Sequence, residues 1–495
     1  MIQSQCRIIG LVTTTIPLGS RVSAARLAML LGEWRRHGSR QGAADLAAAV
    51  ELHVLDGQLP IGTRLPAERE LATELGVSRT LIGAALDRLR EDGVVASRQG
   101  AGSWIAGTGT RRAEPELTGG KALIDLAKAA PLALPGMMTA VDAARQDLSA
   151  YLGGNGYILG GLPVLRERLA ERYTARGLPT TPDQVIVVNG AYSAFVLCLR
   201  MLAGPGDRVL VEQPTYPNAL DALRAAHAQP VPVALDPVSG WDLAGIEAAV
   251  RQAAPRFGYL VVDFQNPTGL RLAADGRERV AGILTRSHTP VVVDESLVEL
   301  DYAGDPLDGP PPFAAFAGDL TLTVGSAAKT YWGGLRLGWI RGSTELLDRL
   351  LSSRYAIDLG PPVFDQLVLA AMMAPDGYEA LARRRHDFRG QRDALVGALR
   401  AHCPSWTYEV PSGGLSLWCK LPEPMSTRLA VSAANHGVQL APGSRFGVHG
   451  GLERWIRLPF GLPSEQLVDA VRRLTAAAAS ISGCAGVPAV DVPVV

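Results

Sequence analysis

The chain has 495 residues, 47% of them hydrophobic and 19% charged, so it is too long for one ordinary domain and too apolar for a disordered protein. Its 48 basic and 48 acidic residues balance, so any basic surface for nucleic acid must be local. The five cysteines show no metal-ligand spacing, which indicates reduced thiols in a cytoplasmic protein without a metal site. No apolar run approaches the ~18 residues that cross a membrane.

Shifts in composition divide the chain into five segments. One stretch is rich in Gly, Thr, Pro and charged residues and shows no periodic pattern of apolar residues, which predicts a linker. The stretches on either side of it are expected to be domains, and both chain ends are weakly patterned. The predicted segments are an N-terminal extension (1–40), a small unit (41–106), the linker (107–122), a large unit (123–478) and a flexible tail (479–495).

The small unit has the pattern of a helix, a tight turn, a second helix and two short strands. Pro66 can begin the first helix, Gly76 can take the left-handed conformation that ends it, and Ser78 can cap the second. Two strand candidates follow at residues 94–98 and 102–106. This order predicts a winged helix-turn-helix, although the helical part alone would also fit a plain helical hairpin.

Charge placement, rather than total charge, favours DNA binding by the small unit. Between Asp45 and Ile105 there are six arginines and nine acidic residues, so the unit is not basic overall. Arg69 lies at the start of the first predicted helix and Arg79 at the start of the second. An arginine at the start of a recognition helix can contact phosphates or a guanine edge.

The stretch "GTRLPAERELATELGVSRT", followed by "LREDG", resembles the DNA-binding domain of the GntR regulators. Two positions depart from the pattern of many relatives, because Leu81 stands where a Thr is common and Gly83 where a polar residue is common. Two expected base or phosphate contacts are therefore missing. The resemblance implies that double-stranded operator DNA is contacted by Arg69, Ser78, Arg79, Thr80 and, in the minor groove at the tip of the wing, Gly100.

The large unit contains short apolar runs rich in Val and Leu, separated by helical patterns. Continuous apolar runs predict strands buried on both faces, hence an α/β fold with a mostly parallel sheet. Small or polar residues follow the runs, and the carboxyl ends of parallel strands meet at one edge, so we expect a polar crevice there. The runs are "VIVV" (185–188), "RVLVE" (208–212), "YLVVDF" (259–264), "VVVD" (291–294) and "LTLTVG" (320–325).

The polar residues at these strand ends have the chemistry that one cofactor requires. Lys329 can form a Schiff base with an aldehyde, and Asp294 can keep a pyridine nitrogen protonated. Arg336, Ser326 and the helix start after Gly190 can together hold a phosphate. An aldehyde, a pyridinium and a phosphate together make pyridoxal 5′-phosphate.

Each of these features has an ordinary explanation when taken alone. A single lysine in a loop is usually a solvated surface charge, and Asp294 could be a helix cap. The segment "NPTG" at residues 266–269 is also a good turn sequence. Their joint occurrence after consecutive strands is what favours the cofactor site.

The large unit resembles the fold-type-I aminotransferases, over the motifs "VNGAYSA", "PGDRVLVEQPTYP", "NPTG", "VVVDE", "GSAAKTYWGGLRLGW" and "RWIRLPFG". The resemblance implies that Lys329 bonds covalently to the cofactor, that Asp294 pairs with its ring nitrogen, and that Arg457 binds a ligand carboxylate. It also implies that Asn266 contacts the ring hydroxyl of the cofactor and that Tyr216 lies near the ring. The residues implied around the phosphate are Ala191, Tyr192, Ser326 and Arg336, and Tyr157 is implied to contact the phosphate bound to a partner subunit.

Two departures from the aminotransferase pattern bear on catalysis. Relatives usually carry a Tyr two or three residues after the pyridine-binding Asp, where this chain has Ser296 and Leu297. A Ser commonly precedes the lysine, where this chain has Ala328. We expect cofactor binding to survive both changes, whereas efficient transamination requires Lys329 to be positioned as a proton shuttle.

A GntR-type domain, a linker and an aminotransferase-like domain in this order resemble the MocR subfamily of transcriptional regulators. The resemblance implies a head-to-tail homodimer that senses pyridoxal phosphate, an amino compound, or both, and binds operator half-sites. Two alternatives stay open at the level of sequence. The chain could be an active aminotransferase with an accessory DNA-binding domain, or a DNA-binding protein whose large unit is empty.

Overall fold

The computed structural model describes residues 21–32, 34–35, 42–55, 59–98, 102–106 and 123–482. The chain divides into two compact units, Met1–Gly119 and Gly120–Val495. The predicted linker, Gly100 and the last thirteen residues of the predicted tail lie outside the described residues. None of the helices in the described ranges combines the length and hydropathy that crossing a membrane requires.

The small unit is a winged helix-turn-helix, as the sequence predicts. Gly76 and Gly93 have φ values of 62° and 72°, and each ends a helix in the left-handed conformation that glycine adopts without strain. The two strands pair antiparallel, with Val95 opposite Ile105. The elements are α1 (Ala24–Leu31), α2 (Gly42–Leu55), α3 (Glu68–Glu74), α4 (Arg79–Glu91), β1 (Val95–Arg98) and β2 (Gly102–Ile105).

The core of the small unit draws on every one of its helices. Leu27, Leu46, Leu71 and Ile82, one from each of α1 to α4, are buried together, and Ile105 joins them from β2. Each such side chain contributes about 1.5–3 kcal/mol of burial free energy. Helix α1 lies in the predicted N-terminal extension, yet it packs into this core and is therefore a structural part of the unit.

The large unit contains a wide sheet and a smaller one. The wide sheet has the strand order β4-β11-β10-β9-β8-β5-β6-β7, and β5, β6, β8, β9 and β10 run parallel. The smaller sheet has the order β12-β14-β13-β3. The strands are β3 (Ile124–Leu126), β4 (Val185–Val188), β5 (Arg208–Gln213), β6 (Gln229–Asp236), β7 (Gly240–Trp241), β8 (Phe257–Leu260), β9 (Val291–Asp294), β10 (Thr321–Ser326), β11 (Gly338–Arg341), β12 (Ser416–Lys420), β13 (Val438–Pro442) and β14 (Trp455–Pro459).

Helices cover both faces of the wide sheet, since separate buried cores lie on its two sides. The last helix continues to Ser482, four residues past the predicted end of the large unit. The helices are α5 (Met137–Asp147), α6 (Pro163–Ala175), α7 (Ala191–Leu202), α8 (Pro217–Ala225), α9 (Leu243–Ala253), α10 (Ala274–Arg286), α11 (Ala314–Ala317), α12 (Thr344–Arg354), α13 (Val363–Met372), α14 (Tyr378–His402), α15 (Ser426–Asn435) and α16 (Ser464–Ser482).

The predicted apolar runs are strands of the wide sheet, which confirms the mostly parallel α/β fold. The strands β4 and β9 have the predicted bounds, whereas β8 ends at Leu260, before the predicted end at Phe264. Strand β11 runs antiparallel between β4 and β10, an arrangement that the apolar runs did not indicate. Strand β6 was missed because Pro230 and Pro232 interrupt its pattern.

Candidate functional site

The candidate site lies where the central strands of the wide sheet end. Strand β9 ends at Asp294 and its neighbour β10 ends at Ser326, three residues before Lys329. Lys329 lies in a π-helical turn, Ala328–Trp332, that follows β10 directly. Because parallel strands end at the same edge, the fold brings Asp294, Ser326 and Lys329 to one edge of the sheet.

Lys329 is held in a half-buried position with its amine bonded to the backbone. Its Nζ donates to the carbonyl oxygen of Ala129 at 2.6 Å. Burial, and next the positive charge of Arg457, lower the pKa of Lys329 to about 8, while Asp294 acts in the opposite direction. A lysine in this setting is neutral far more often than a solvated one, which suits it to act as a nucleophile.

Asp294 is fixed by one backbone and one side-chain donor. The Ser296 amide donates to Oδ1 at 2.9 Å, and the Tyr259 hydroxyl donates to Oδ2 at 3.0 Å. Tyr259 is buried and packs on Phe195, with ring centroids 4.7 Å apart. Burial, and next the charge of Asp294, raise the pKa of Tyr259 well above its ordinary value. Its hydroxyl therefore stays protonated and orients the carboxylate.

Tyr259 is a residue of the site that the sequence analysis missed. It lies inside the apolar run read as a strand, where an aromatic residue is typical of a buried sheet. The available signal was that a buried tyrosine hydroxyl usually finds a partner, and the neighbouring strand ends in a carboxylate. The register pairs Tyr259 with Val292 of β9, close to the Asp294 end of that strand.

Arg457 is buried and lies beside Asn266. Its Nη1 donates to Asn266 Oδ1 at 3.3 Å, Nη2 donates to the Ala127 carbonyl, and the guanidinium lies 5.2 Å from the centre of the Phe446 ring. Burial lowers the pKa of Arg457 to about 10. Its Nε is buried and has no hydrogen-bond partner among the described residues. A buried, partly unpartnered guanidinium is suited to bind an anion.

Tyr216 lies immediately before α8 and lines the same cavity. Its hydroxyl accepts a hydrogen bond from Asn218 Nδ2 at 3.0 Å. Burial, and next the charge of Asp294, raise the pKa of Tyr216 to about 12. The hydroxyl is therefore protonated at neutral pH and can donate to a ligand.

The start of α7 lies close to Arg336, and these are two of the features from which the sequence predicts a phosphate site. Gly190 precedes the helix with φ 92°, and a Cβ there would lie 3.2 Å from Nη2 of Arg336. A Cβ on Gly338 would lie within 2.8 Å of three backbone atoms, so the chain segments approach closely only because this residue is glycine. Arg336 is exposed and forms no ion pair with the described residues.

The remaining predicted phosphate residues differ in burial. Ala191 begins α7, Ser326 is buried with its Oγ accepting from the Ala328 amide at 3.1 Å, and Tyr192 is 41% exposed. Tyr157 is 68% exposed, and its hydroxyl bonds to no described residue of the chain. The donor set of lysine, carboxylate, guanidinium and helix start fits pyridoxal phosphate.

A cavity of about 350 Å³ opens beside Lys329, Asn266, Tyr216 and Arg457. Leu297, one of the departures from the aminotransferase pattern, lines this cavity, whereas the Ser296 hydroxyl is buried without a partner among the described residues. Asp294, Ser326 and Arg336 do not line it. The cavity therefore lies on the amine side of the site, where a second ligand would meet the cofactor.

The predicted DNA-binding residues of the small unit lie at the starts of α3 and α4. Arg69, Arg79 and Thr80 are exposed, and Arg79 Nε lies 3.6 Å from Glu68. Ser78 Oγ accepts from the Leu81 amide at 3.2 Å, so this hydroxyl caps α4. The residue Gly100 lies outside the described residues.

Two protein families match the chain, and their spans correspond to the two units. The family described as "Aminotransferase class I and II" matches residues 123–474. The family described as "Bacterial regulatory proteins, gntR family" matches residues 43–105. The first match covers well over half of the chain.

Known proteins resemble either the whole chain or its large unit. The probable rhizopine catabolism regulatory protein MocR of Rhizobium meliloti is 27% identical over 88% of this chain and 93% of its own length. The 2-aminoadipate transaminase of Thermus thermophilus is 29% identical over 61% of this chain and 77% of its own.

A solved structure resembles the large unit. LysN, an α-aminoadipate aminotransferase from Thermus thermophilus, was solved with N-(5′-phosphopyridoxyl)-L-leucine. It is 27% identical to this chain with a TM-score of 0.66, and the match covers 73% of this chain and 94% of that one. The compound in that structure contains the pyridoxal phosphate skeleton. This chain therefore belongs to the class I and II aminotransferase family and, with a GntR-type DNA-binding domain ahead of its aminotransferase-like domain, is a pyridoxal-phosphate-dependent regulator of the MocR type.

Proposed function

We propose that the large unit binds pyridoxal phosphate at Lys329 and then an amino compound in the adjacent cavity, and that ligand binding changes operator binding by the small unit. The observation that carries this proposal is the half-buried Lys329 beside Asp294 and an anion-binding Arg457, in the same chain as a DNA-binding domain. The active unit is a head-to-tail homodimer in the cytoplasm, and two DNA-binding domains contact paired half-sites.

The side chains of this proposed site divide the work of holding the cofactor. Bound pyridoxal phosphate supplies an aldehyde that reacts with amines and a ring that withdraws electrons. Lys329 supplies the amine that anchors it, and Asp294 pairs with the ring nitrogen. Asn266 bonds the ring hydroxyl, and Tyr216 lies beside the ring.

Arg336, Ser326 and the start of α7 at Ala191 and Tyr192 hold the phosphate, since a helix N-terminus and a guanidinium both favour a dianion. Tyr157 of one protomer reaches the phosphate bound to the other, which agrees with its exposure in the single chain. Arg457 binds the carboxylate of the amino compound. Within the described ranges its Nε has no hydrogen-bond partner and no carboxylate bonds to it, which supports this role.

The regulatory step needs a ligand that binds two conformations of the dimer unequally. A difference of about 1.4 kcal/mol in binding free energy between the conformations changes their ratio tenfold. In the DNA-bound state Arg69, Arg79 and Thr80 contact the operator, and Ser78 holds the start of the recognition helix α4 through its cap. The exposed positions of the first three residues support that assignment.

A second candidate function is transamination by the large unit. The lowered pKa of Lys329 and the intact Asp294 and Arg457 favour it, because a proton shuttle needs an amine that gives up its proton more readily than a solvated lysine does. The loss of the usual tyrosine at Ser296 and Leu297 weighs against it. Rapid conversion of the cofactor to its amine form by a common amino acid would establish it.

Operator binding with and without cofactor tests the proposal. Fragments of the DNA upstream of the gene are mixed with the full-length protein, with and without added pyridoxal phosphate, in a gel-shift titration. We expect the midpoint of the titration to move when the cofactor is present. Failure to bind any fragment would remove the regulatory role, and a midpoint unaffected by cofactor and amino acids would remove the coupling.

A further inference from the structure

The cavity beside Lys329 carries more positive charge than the proposed function uses. Among the described residues that line it, four are cationic, namely Lys128, Lys329, Arg445 and Arg457, and none is an Asp or Glu. Lys329 is assigned to the cofactor and Arg457 to one carboxylate of the amino compound. The side chain of Lys128 is 78% exposed and lies 3.4 Å from Asp125, which balances its charge. Arg445 is left without an assigned function.

Arg445 is only partly neutralised by the described residues. Its Nη2 donates to Asp221 Oδ2 at 2.7 Å, and the same carboxylate accepts from Arg224 Nη1 at 2.8 Å. One carboxylate thus serves two guanidiniums, which leaves a net positive charge at this end of the cavity. Arg445 Nε and Nη1 bond to no described residue, so they are available to a ligand.

The position of Arg445 also suits ligand binding. It lies in the turn Gly443–Phe446 that follows β13, and its side chain is 34% exposed, so water around it is reduced. A charge-assisted hydrogen bond is stronger in such a setting than on an open surface. The next residue in the chain, Phe446, packs against the Arg457 guanidinium and also lines the cavity.

The rest of the cavity wall is mostly apolar. Leu297, Leu415 and Phe446 contribute to it, together with alanines 127, 129 and 130. Apolar walls favour methylene groups, while the cations favour anions. Together these features describe a short aliphatic chain with a negative charge at each end.

We propose that the amino compound recognised by this chain is an acidic amino acid, whose α-carboxylate binds Arg457 and whose side-chain carboxylate binds Arg445. This inference rests on the proposed function and specifies the chemical class of its ligand. Neutral amino acids fill the same apolar wall but leave the N–H groups of Arg445 without an anion.

A matched pair of amino acids tests the inference. The full-length protein loaded with pyridoxal phosphate is titrated with L-glutamate and with L-glutamine, which differ in charge and little in size, and binding is followed by the absorbance of the cofactor. We expect the apparent Kd of L-glutamate to be roughly tenfold lower, the ratio that one charge-assisted pair supplies. In the R445Q variant the two Kd values should become similar, chiefly because binding of L-glutamate weakens.

Two further variants keep the outcome interpretable. R445K retains the charge but not the planar fork, so it should keep part of the preference. The R457Q substitution should weaken the binding of both L-glutamate and L-glutamine. Equal affinities in the unaltered protein, or a full preference in R445Q, would overturn the inference. A protein that shows no cofactor absorbance, or binds neither amino acid, would instead contradict the proposed function itself.

Discussion

The two units of the chain place their functional side chains in opposite environments. In the large unit Asp294, Arg457 and Tyr259 are held by hydrogen bonds, and burial shifts the pKa of Arg457 and Tyr259. In the small unit Arg69 and Arg79 are exposed on short helical segments. Chemistry on a small molecule needs oriented groups in a dry cleft, whereas a DNA duplex can only be reached by side chains on the surface.

This difference predicts how substitutions in the two units will act. Changes at the cofactor site should alter ligand affinity and stability together, because the same bonds serve both. Changes at the DNA-binding surface should alter affinity for the operator and leave the fold unchanged.

The K329A substitution should have the largest effect. Without the amine no covalent attachment to pyridoxal phosphate forms, so the absorbance band of the covalently attached cofactor should disappear and only the band of the unattached aldehyde should remain. The increase in Tm that the cofactor gives to the unaltered protein should fall to the small value of non-covalent binding.

The K128A substitution is the control for K329A, since Lys128 lies at the same cavity but is exposed and paired with Asp125. It should retain the absorbance of the bound cofactor. A K329A protein that keeps this absorbance at full strength would mean that another amine is the anchor.

The R79A substitution should most clearly separate DNA binding by the small unit from the stability of the fold. A lost arginine contact to a phosphate or base edge costs about 1–3 kcal/mol of DNA binding, so operator affinity should fall about fivefold or more. The exposed pair between Arg79 and Glu68 contributes little to the fold, so Tm should stay unchanged. Gel-shift titration and thermal unfolding of the same preparation measure both quantities.

Arg88 offers a matched control for R79A. It lies two and a half turns further along α4, on the opposite face of the helix, and is also exposed. R88A should bind operator DNA as the unaltered protein does. Equal losses for R79A and R88A would mean that charge in general, and not the start of the recognition helix, determines binding.

The Y259F substitution tests a smaller effect inside the cofactor site. Asp294 keeps the hydrogen bond from the Ser296 amide but loses the one from Tyr259, about 1 kcal/mol, so cofactor affinity should fall about fivefold. A titration of the ligand-free protein with pyridoxal phosphate measures the change.

Y173F is the matched control for Y259F. Tyr173 is also buried, but its hydroxyl accepts from Trp339 Nε1 at 3.1 Å and does not bond to Asp294. Y173F should keep the cofactor affinity of the unaltered protein. If both variants lose affinity equally, a general loosening of the core is responsible and not the orientation of Asp294.

Tyr259 shows which kind of site residue can be predicted from the sequence and which cannot. Lys329, Asp294 and Arg336 were predictable because they follow apolar runs whose ends must meet at one edge of the sheet. Tyr259 lies within such a run, and only the register of β8 against β9 brings its hydroxyl to Asp294. Register depends on contacts distant in sequence, so periodicity alone does not determine it.

The same distinction between local sequence pattern and distant contacts applies to the fold. Strands with uninterrupted Val and Leu were predicted with nearly correct bounds. Strand β6 was missed because of its prolines, and the antiparallel β11 because a loop motif with Arg336 runs directly into it. The partly neutralised Arg445 could not be predicted at all, since its relation to Asp221 and Arg224 joins residues far apart in the chain.

The last prediction concerns the pH dependence of stability in the ligand-free large unit. The ordinary pKa of lysine is 10.5, and the folded value for Lys329 is about 8, so between these values the folded state has released a proton that the unfolded state retains. The free energy of unfolding should therefore rise with pH across this window.

Lysine-to-methionine substitution at 329 removes the titrating group while keeping an extended side chain. Thermal unfolding of both proteins is measured without cofactor at about five pH values between pH 7.5 and 10. Over this range the Tm of the unaltered chain should change in a more positive direction than the Tm of the variant. Parallel curves would mean that the Lys329 amine is solvated in the folded protein, which would weaken the contrast between a buried cofactor site and an exposed DNA-binding surface.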